Sequence, residues 1–155
     1  MTEKRTRSFF HEACVLTARL LVGGTLLTAG VAALLAPTVE FVAAIRHYAV
    51  LPSWAAAWLA QGLPWVEAVI GLAVIVGLSQ RFSLRVAAGL LTLFWLVISQ
   101  ALLRRLPIAE CGCFGNFLSL SPQRMWVLDA ALAGLAWWLV RRHTPTLSVD
   151  RRLAR

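Results

Sequence analysis

Charged residues divide this chain into long apolar runs, and that spacing limits the fold more than any other feature. Leu20 to Val39 is 20 residues without a charge, enough to cross a hydrocarbon layer of about 30 Å at about 1.5 Å per helical residue. Val86 to Leu103 adds 18 more and holds no proline. Two further runs, about Leu63 to Gln80 and about Met125 to Val140, each carry one acid, Glu67 and Asp129. Because 59% of the 155 residues are hydrophobic, 14% are charged and the mean hydropathy is +0.73, the composition is that of a membrane protein, not a water-soluble domain. The expected fold class is all-α: a bundle of four transmembrane helices.

A net charge of +8 would suggest nucleic acid as a partner for a soluble protein, but the 15 basic residues lie between the apolar runs and form no long basic patch. No nucleic-acid partner is expected; the bilayer is. If the runs are helices, Lys4, Arg5, Arg7, Arg19, Arg81, Arg85, Arg141, Arg142, Arg151, Arg152 and Arg155 fall on one side, and Arg46, Arg104, Arg105 and Arg124 on the other. Such an excess marks the cytoplasmic side. The expectation is a multi-pass protein of a bacterial inner membrane with both termini cytoplasmic. The basic start followed by an apolar run also resembles a signal peptide. The run from Leu20 is long for that role, and Ala36-Pro37 makes a poor cleavage site, so a retained first helix is expected.

Along the chain, residues 1–13 read as a cytoplasmic N-terminal segment, 14–142 as the membrane domain and 143–155 as a basic cytoplasmic tail. The first helix is expected from about Cys14 to Ala36, stopped by Pro37. Within Thr38 to Gly62, Leu51, Trp54, Trp58 and Leu59 recur at helical spacing and suggest a short amphipathic helix at the outer interface. Pro64 reads as the start of the second helix, which places Glu67 in its first turn, where the helix dipole favours a negative charge. Ser79 to Ser83 would turn the chain into the third helix. Small residues at Gly71, Ala73, Gly77, Ala87, Ala88 and Gly89 would let helices approach closely. After Ile108 to Gln123, Ser121-Pro122 reads as a cap and first residue of the fourth helix, which ends at Arg141-Arg142 before Pro145.

The second outer segment holds Cys111-Gly112-Cys113-Phe114-Gly115. Two extended residues span about 6.6 to 7.2 Å between Cα atoms, at or beyond the roughly 4.4 to 6.8 Å of a relaxed disulfide. Gly112 permits the bend that a Cys111–Cys113 bond needs. A ring closed so tightly suits exchange better than stapling. Three readings stay open: thiol-disulfide exchange, metal ligation with His47 supplied from the other loop, and a structural tight loop. Exchange needs a thiolate, and Arg104, Arg105 and the start of the fourth helix are the groups that would favour one. Cys14, a bilayer away, reads as a small buried hydrophobe.

Glu67 and Asp129 are expected beneath this loop, facing the bundle, since a charge at the centre of a span costs about 2.5 to 3.5 kcal/mol. They would either pair with Arg104, Arg105 or Arg124, or accept a proton during thiol exchange. Gln100 reads as an interhelical hydrogen bond. Only four helices and no internal repeat argue against a transporter.

Leu63-Pro64-Trp65-Val66-Glu67-Ala68-Val69-Ile70-Gly71 and the Cys111-Gly112-Cys113-Phe114-Gly115 loop, set among four helices, resemble the MauE family of methylamine-utilisation proteins, a branch of DoxX-like membrane proteins. The resemblance covers about residues 14–142. It implies assistance in forming disulfides of a periplasmic client, the methylamine dehydrogenase small subunit, with a thioredoxin-fold periplasmic protein as the partner of Cys111 and Cys113. Quinone-linked disulfide generators of the DsbB and vitamin K epoxide reductase types are also four-helix proteins, but they use a Cys-x-x-Cys pair and commonly a second pair, both absent here. A quinone as cofactor rests on that fold-level analogy. Whether the chain is a thiol-disulfide oxidoreductase or a non-catalytic assembly subunit stays open on these residues.

Overall fold

The structure, a computed structural model, describes residues 2–37, 42–43, 45–46, 52–105 and 121–142. It is helical throughout: α1 (Thr2–Leu35), α2 (Ser53–Val76), α3 (Gln80–Leu103) and α4 (Pro122–Arg141). Residues 42, 43, 45 and 46 are also helical. The most extensive packing is of α1 on α2 and of α3 on α4; α2–α3 and α1–α4 contacts close the ring, and a smaller α1–α3 contact crosses it. Glu12–Leu35, Trp54–Val76 and Gln80–Leu103 are long and apolar enough to cross a membrane. The more polar α4 is not among these three.

Helix boundaries depart from the sequence expectation in three places. Helix α1 does not begin near Cys14 but runs back to Thr2, making its 34 residues about 51 Å long, well beyond one hydrocarbon layer. Cys14, expected to be buried, is exposed on it.

The second departure is the start of α2. It begins at Ser53, with Pro52 in an extended conformation before it and Pro64 inside the helix. Alanines 55, 56, 57 and 60 are strong helix formers, and proline is tolerated in a spanning helix where neighbours compensate for the freed backbone. Trp54 and Trp58 therefore belong to α2 itself and not to a separate interfacial helix. Together with Trp65, Leu72 and Val76 they form an exposed stripe along one face of α2, suited to lipid and the headgroup belt.

The third is the turn into α3, which spans residues 77–79 instead of Ser79–Ser83. Gly77 takes a left-handed φ of 79°, and Leu78 N–H reaches back to Ala73 O at 2.9 Å, closing α2 in a Schellman-type end. Pro122 does open α4, but Ser121 makes no side-chain capping bond.

The closest packing is between α1 and α2. A Cβ on Gly71 would lie 2.5 Å from Leu27 N and 2.7 Å from Gly23 O; one on Gly30 would lie 2.6 Å from Ala68 N and 2.7 Å from Pro64 O. As numbers rise along α1 they fall along α2, so the pair is antiparallel with backbones in contact. Without a hydrophobic drive between helices in lipid, this contact and its dispersion energy hold them. The α3–α4 pair is joined differently. Trp126 Nε1 donates to Ser99 Oγ at 2.7 Å and Trp137 Nε1 to Thr92 Oγ1 at 3.1 Å, while the Trp95 and Trp126 rings lie 5.8 Å apart.

Arg19 is 2% exposed, although it is a charge on an apolar helix. Its guanidinium donates to Val74 O at 3.0 Å and to Ile75 O at 3.3 Å, carbonyls in the last turn of α2 that have no partner within the helix. A cation there also opposes the negative end of the helix dipole.

Gly71→Leu should lower stability by about 1–3 kcal/mol or more through overpacking, whereas Gly24→Ala, whose Cβ would meet nothing within 4 Å, should be nearly neutral; thermal unfolding in detergent micelles compares the two. Arg19→Met should cost about 1–3 kcal/mol by leaving carbonyls unsatisfied, with faster hydrogen exchange concentrated at the end of α2.

Candidate functional site

The proposed exchange residues Cys111, Gly112, Cys113, Phe114 and Gly115 lie outside the described residues. The described chain fixes what flanks them. Helix α3 ends at Leu103, α4 begins at Pro122, and the antiparallel packing of these helices brings both ends to one end of the bundle. The C-terminus of α1 and the N-terminus of α2 are at the same end.

Arg104 and Arg105 follow α3 directly and are exposed; Arg105 takes a left-handed φ of 51°. With its amide oriented to satisfy both partners, Gln100 accepts from Arg104 Nε at 2.7 Å and Nη1 at 3.0 Å. The expected interhelical bond from Gln100 is thus a bond one turn along α3. Arg124, in the first turn of α4, is exposed as well.

Glu67 and Asp129 both point into the bundle, 5% and 2% exposed. Glu67 is not in the first turn of its helix. Starting α2 at Ser53 places it about 21 Å along the axis, away from the dipole end. Because Gly30 abuts Pro64 and Ala68, Glu67 lies level with a point on α1 about 7.5 Å short of Leu35. Asp129 is about 10 Å along α4. The two carboxyls come from α2 and α4 and are both buried within the bundle. Asp129 lies nearer the end that carries the Cys111–Cys113 segment, and Glu67 lies past the middle of α2 from that end.

Their position follows from helical periodicity. On α2 the buried residues Ala56, Ala60, Pro64, Glu67, Gly71 and Val74 recur every three or four positions, as do Met125, Asp129, Leu132, Ala136 and Leu139 on α4. Each acid occupies a seam position that periodicity assigns to an apolar side chain. The expected ion pair with arginine does not appear among the described residues: Arg104 turns to Gln100, Arg105 and Arg124 are exposed, and Asp129 Oδ2 is buried with no hydrogen-bond partner.

On sequence alone Arg19 is only a cytoplasmic charge, and Trp126 and Trp137 have no assigned role. A signal for the tryptophans was present: they are eleven residues apart on α4, about three turns, and Thr92 and Ser99 are seven apart on α3, about two. Nothing local singles out Arg19, whose acceptors lie 55 and 56 residues downstream.

The model of the family described as methylamine utilisation protein MauE matches residues 11–142. A protein named methylamine utilization protein MauE from Methylorubrum extorquens is 30% identical over 97 residues, which is 63% of this chain and 51% of that one. A protein of the same name from Methylophilus methylotrophus is 33% identical over 102 residues, covering 64% of this chain and 54% of its own length. The chain thus spans about half the length of these relatives. No solved structure matches. With the family model running from residue 11, within α1, through α2, α3, the segment after it and α4, the chain belongs to the MauE family of membrane proteins.

Proposed function

We propose that this protein is a membrane thiol-disulfide redox protein that assists disulfide formation or maturation of a periplasmic client in methylamine utilisation. The observation that carries the reading is the family match, whose range includes Cys111 and Cys113. By the family analogy the client is the small subunit of methylamine dehydrogenase and the exchange partner a thioredoxin-fold periplasmic protein. In this reading α4 crosses the inner membrane with the other three helices, both termini are cytoplasmic and the cysteine segment faces the periplasm.

The exchange is balanced. A thiolate of the partner attacks the Cys111–Cys113 disulfide, forming a mixed disulfide and releasing one cysteine as thiolate; the partner's second thiol then displaces the first cysteine. One disulfide breaks and another forms, and two electrons pass from partner to pair. Run in reverse, the same steps reduce the partner. The exposed Arg104 and Arg105 immediately precede the segment and Arg124 follows it, a cationic setting that favours the thiolate form of Cys111 or Cys113, released in this direction and attacking in the reverse. Gly112 supplies the bend the ring requires, and Gly115 with Phe114 completes the motif. Glu67 and Asp129 lie below as supporting groups.

Cys113→Ser should accumulate a mixed disulfide through Cys111 with a periplasmic thioredoxin-fold protein, seen by non-reducing electrophoresis and mass spectrometry. Full client maturation in a double serine variant would instead favour a non-catalytic scaffold. For topology, a membrane-impermeant thiol reagent applied from the periplasm should modify Cys111 or Cys113 and leave Cys14 untouched; the opposite pattern would reverse the orientation.

A further inference from the structure

The hydrogen bond from Trp137 to Thr92 fixes the register of α4 against α3 toward the end of the bundle away from the cysteine segment. Arg85 lies seven residues before Thr92 and Arg81 eleven, close to two and three turns, so both point within about 20° of the direction of Thr92 on α3. Arg141 follows Trp137 by four residues on α4, about 40° round from it. Along the helix axes Arg85 is about 10.5 Å and Arg141 about 6 Å beyond the hydrogen bond, in the same direction. Packed helix axes are about 8 to 10 Å apart. Guanidiniums from two helices therefore gather at one end of one seam.

Arg81, Arg85 and Arg141 are all exposed, and among the described residues none of their side chains has an ion pair or hydrogen bond. Arg142, next along, rests on the Trp138 ring at 5.9 Å, and Arg19 is held by the carbonyls of α2. Glu12 on α1 is the acid described at this end, and no ion pair joins it to the three. Like charges gathered without a counter-ion repel, and an anion between them removes that cost. Arginine suits phosphate in particular, since its guanidinium offers two parallel N–H bonds to a pair of oxygens.

Toward the middle of the helices the outer face of the same seam is shallow and apolar. Gly89 and Gly134 lie about 60° outward from Thr92 and Trp137, and a Cβ on either would meet nothing within 4 Å. Leu96 and Trp137 are exposed on that side. Cations at the mouth with a hydrocarbon face below them match the two halves of a phospholipid.

We propose that the outer α3–α4 seam binds one anionic phospholipid, its phosphate between Arg85 and Arg141 with Arg81 beyond, and an acyl chain along the face of Gly89 and Gly134. Basic pockets between spanning helices take acidic head groups in this way. The site rests on α4 lying in the bilayer beside α3, and it stands whether or not Cys111 and Cys113 exchange disulfides.

Native mass spectrometry of the full chain, released from detergent with added lipid, tests this. The wild-type protein should retain phosphatidylglycerol in preference to phosphatidylcholine. One arginine near an acidic membrane surface contributes a factor of about five in affinity, so an Arg85→Gln, Arg141→Gln double variant should bind phosphatidylglycerol about thirtyfold more weakly. Removal of two charges from the opposite end, Arg105→Gln with Arg124→Gln, should leave binding unchanged. A photoactivatable phosphatidylglycerol in membranes of the wild type should crosslink to residues 81–96 or 134–141, which keeps the test open should the first double variant fail to fold. Equal retention of the two lipids, equal losses in the two double variants, crosslinks confined to α1 and α2, or displacement of the lipid by millimolar inorganic phosphate would overturn the proposal, the last by showing a site for free anions.

Discussion

Backbone contact between α1 and α2 is the constraint on which the rest of the bundle depends. Gly23, Gly30 and Gly71 remove the side chains that would otherwise keep the helices apart, and a Cβ at any of them would meet backbone or side-chain atoms at 2.5 to 2.8 Å. In a bilayer, where apolar side chains gain little by leaving lipid, such contact is the available source of cohesion. It fixes the register of α2 against α1. That register in turn places Val74 and Ile75 under Arg19, and Glu67 inside the bundle.

The two halves of the bundle are cohesive for different reasons. The α1–α2 seam is close contact of backbones at glycines, closed at one end by the hydrogen bonds of Arg19 to Val74 O and Ile75 O. The α3–α4 seam relies on indole donors and hydroxyl acceptors, with Ser99 and Thr92 also bonded to carbonyls four residues back on their own helix. Each hydroxyl thus satisfies its own backbone and reaches across to a neighbour, a use of serine and threonine suited to a medium without water.

The presence of the helices was legible in the sequence because apolar runs bounded by charges are a strong signal. Their ends were less so. Pro64 looked like a start because proline favours first turns, but the alanine-rich stretch before it is helical and the tight packing of Gly30 on Pro64 and Ala68 occupies the same place. This one misreading displaced Glu67 from mid-helix to a first turn and made a separate element of Trp54 and Trp58. Both acids were still singled out, since a carboxyl in an apolar run is conspicuous in any register. What no local pattern revealed was the long-range partnership of Arg19 or that Asp129 Oδ2 has no hydrogen-bond partner among the described residues, because each depends on where a distant helix lies. The chemistry of Cys111 and Cys113 rests on their types, their spacing and the family.

Arg19 also has a bearing on the order of biosynthesis. The carbonyls it binds belong to residues made 55 and 56 positions later, so a nascent α1 leaves the ribosome with a guanidinium at the border of its uncharged run and nothing yet built to receive it. At that border the charge costs less than the about 2.5 to 3.5 kcal/mol of an arginine at the centre of a span. Its hydrogen bonds to α2 form only once the end of α2 has emerged, which makes the first hairpin the smallest unit in which Arg19 has the partners it keeps in the finished bundle.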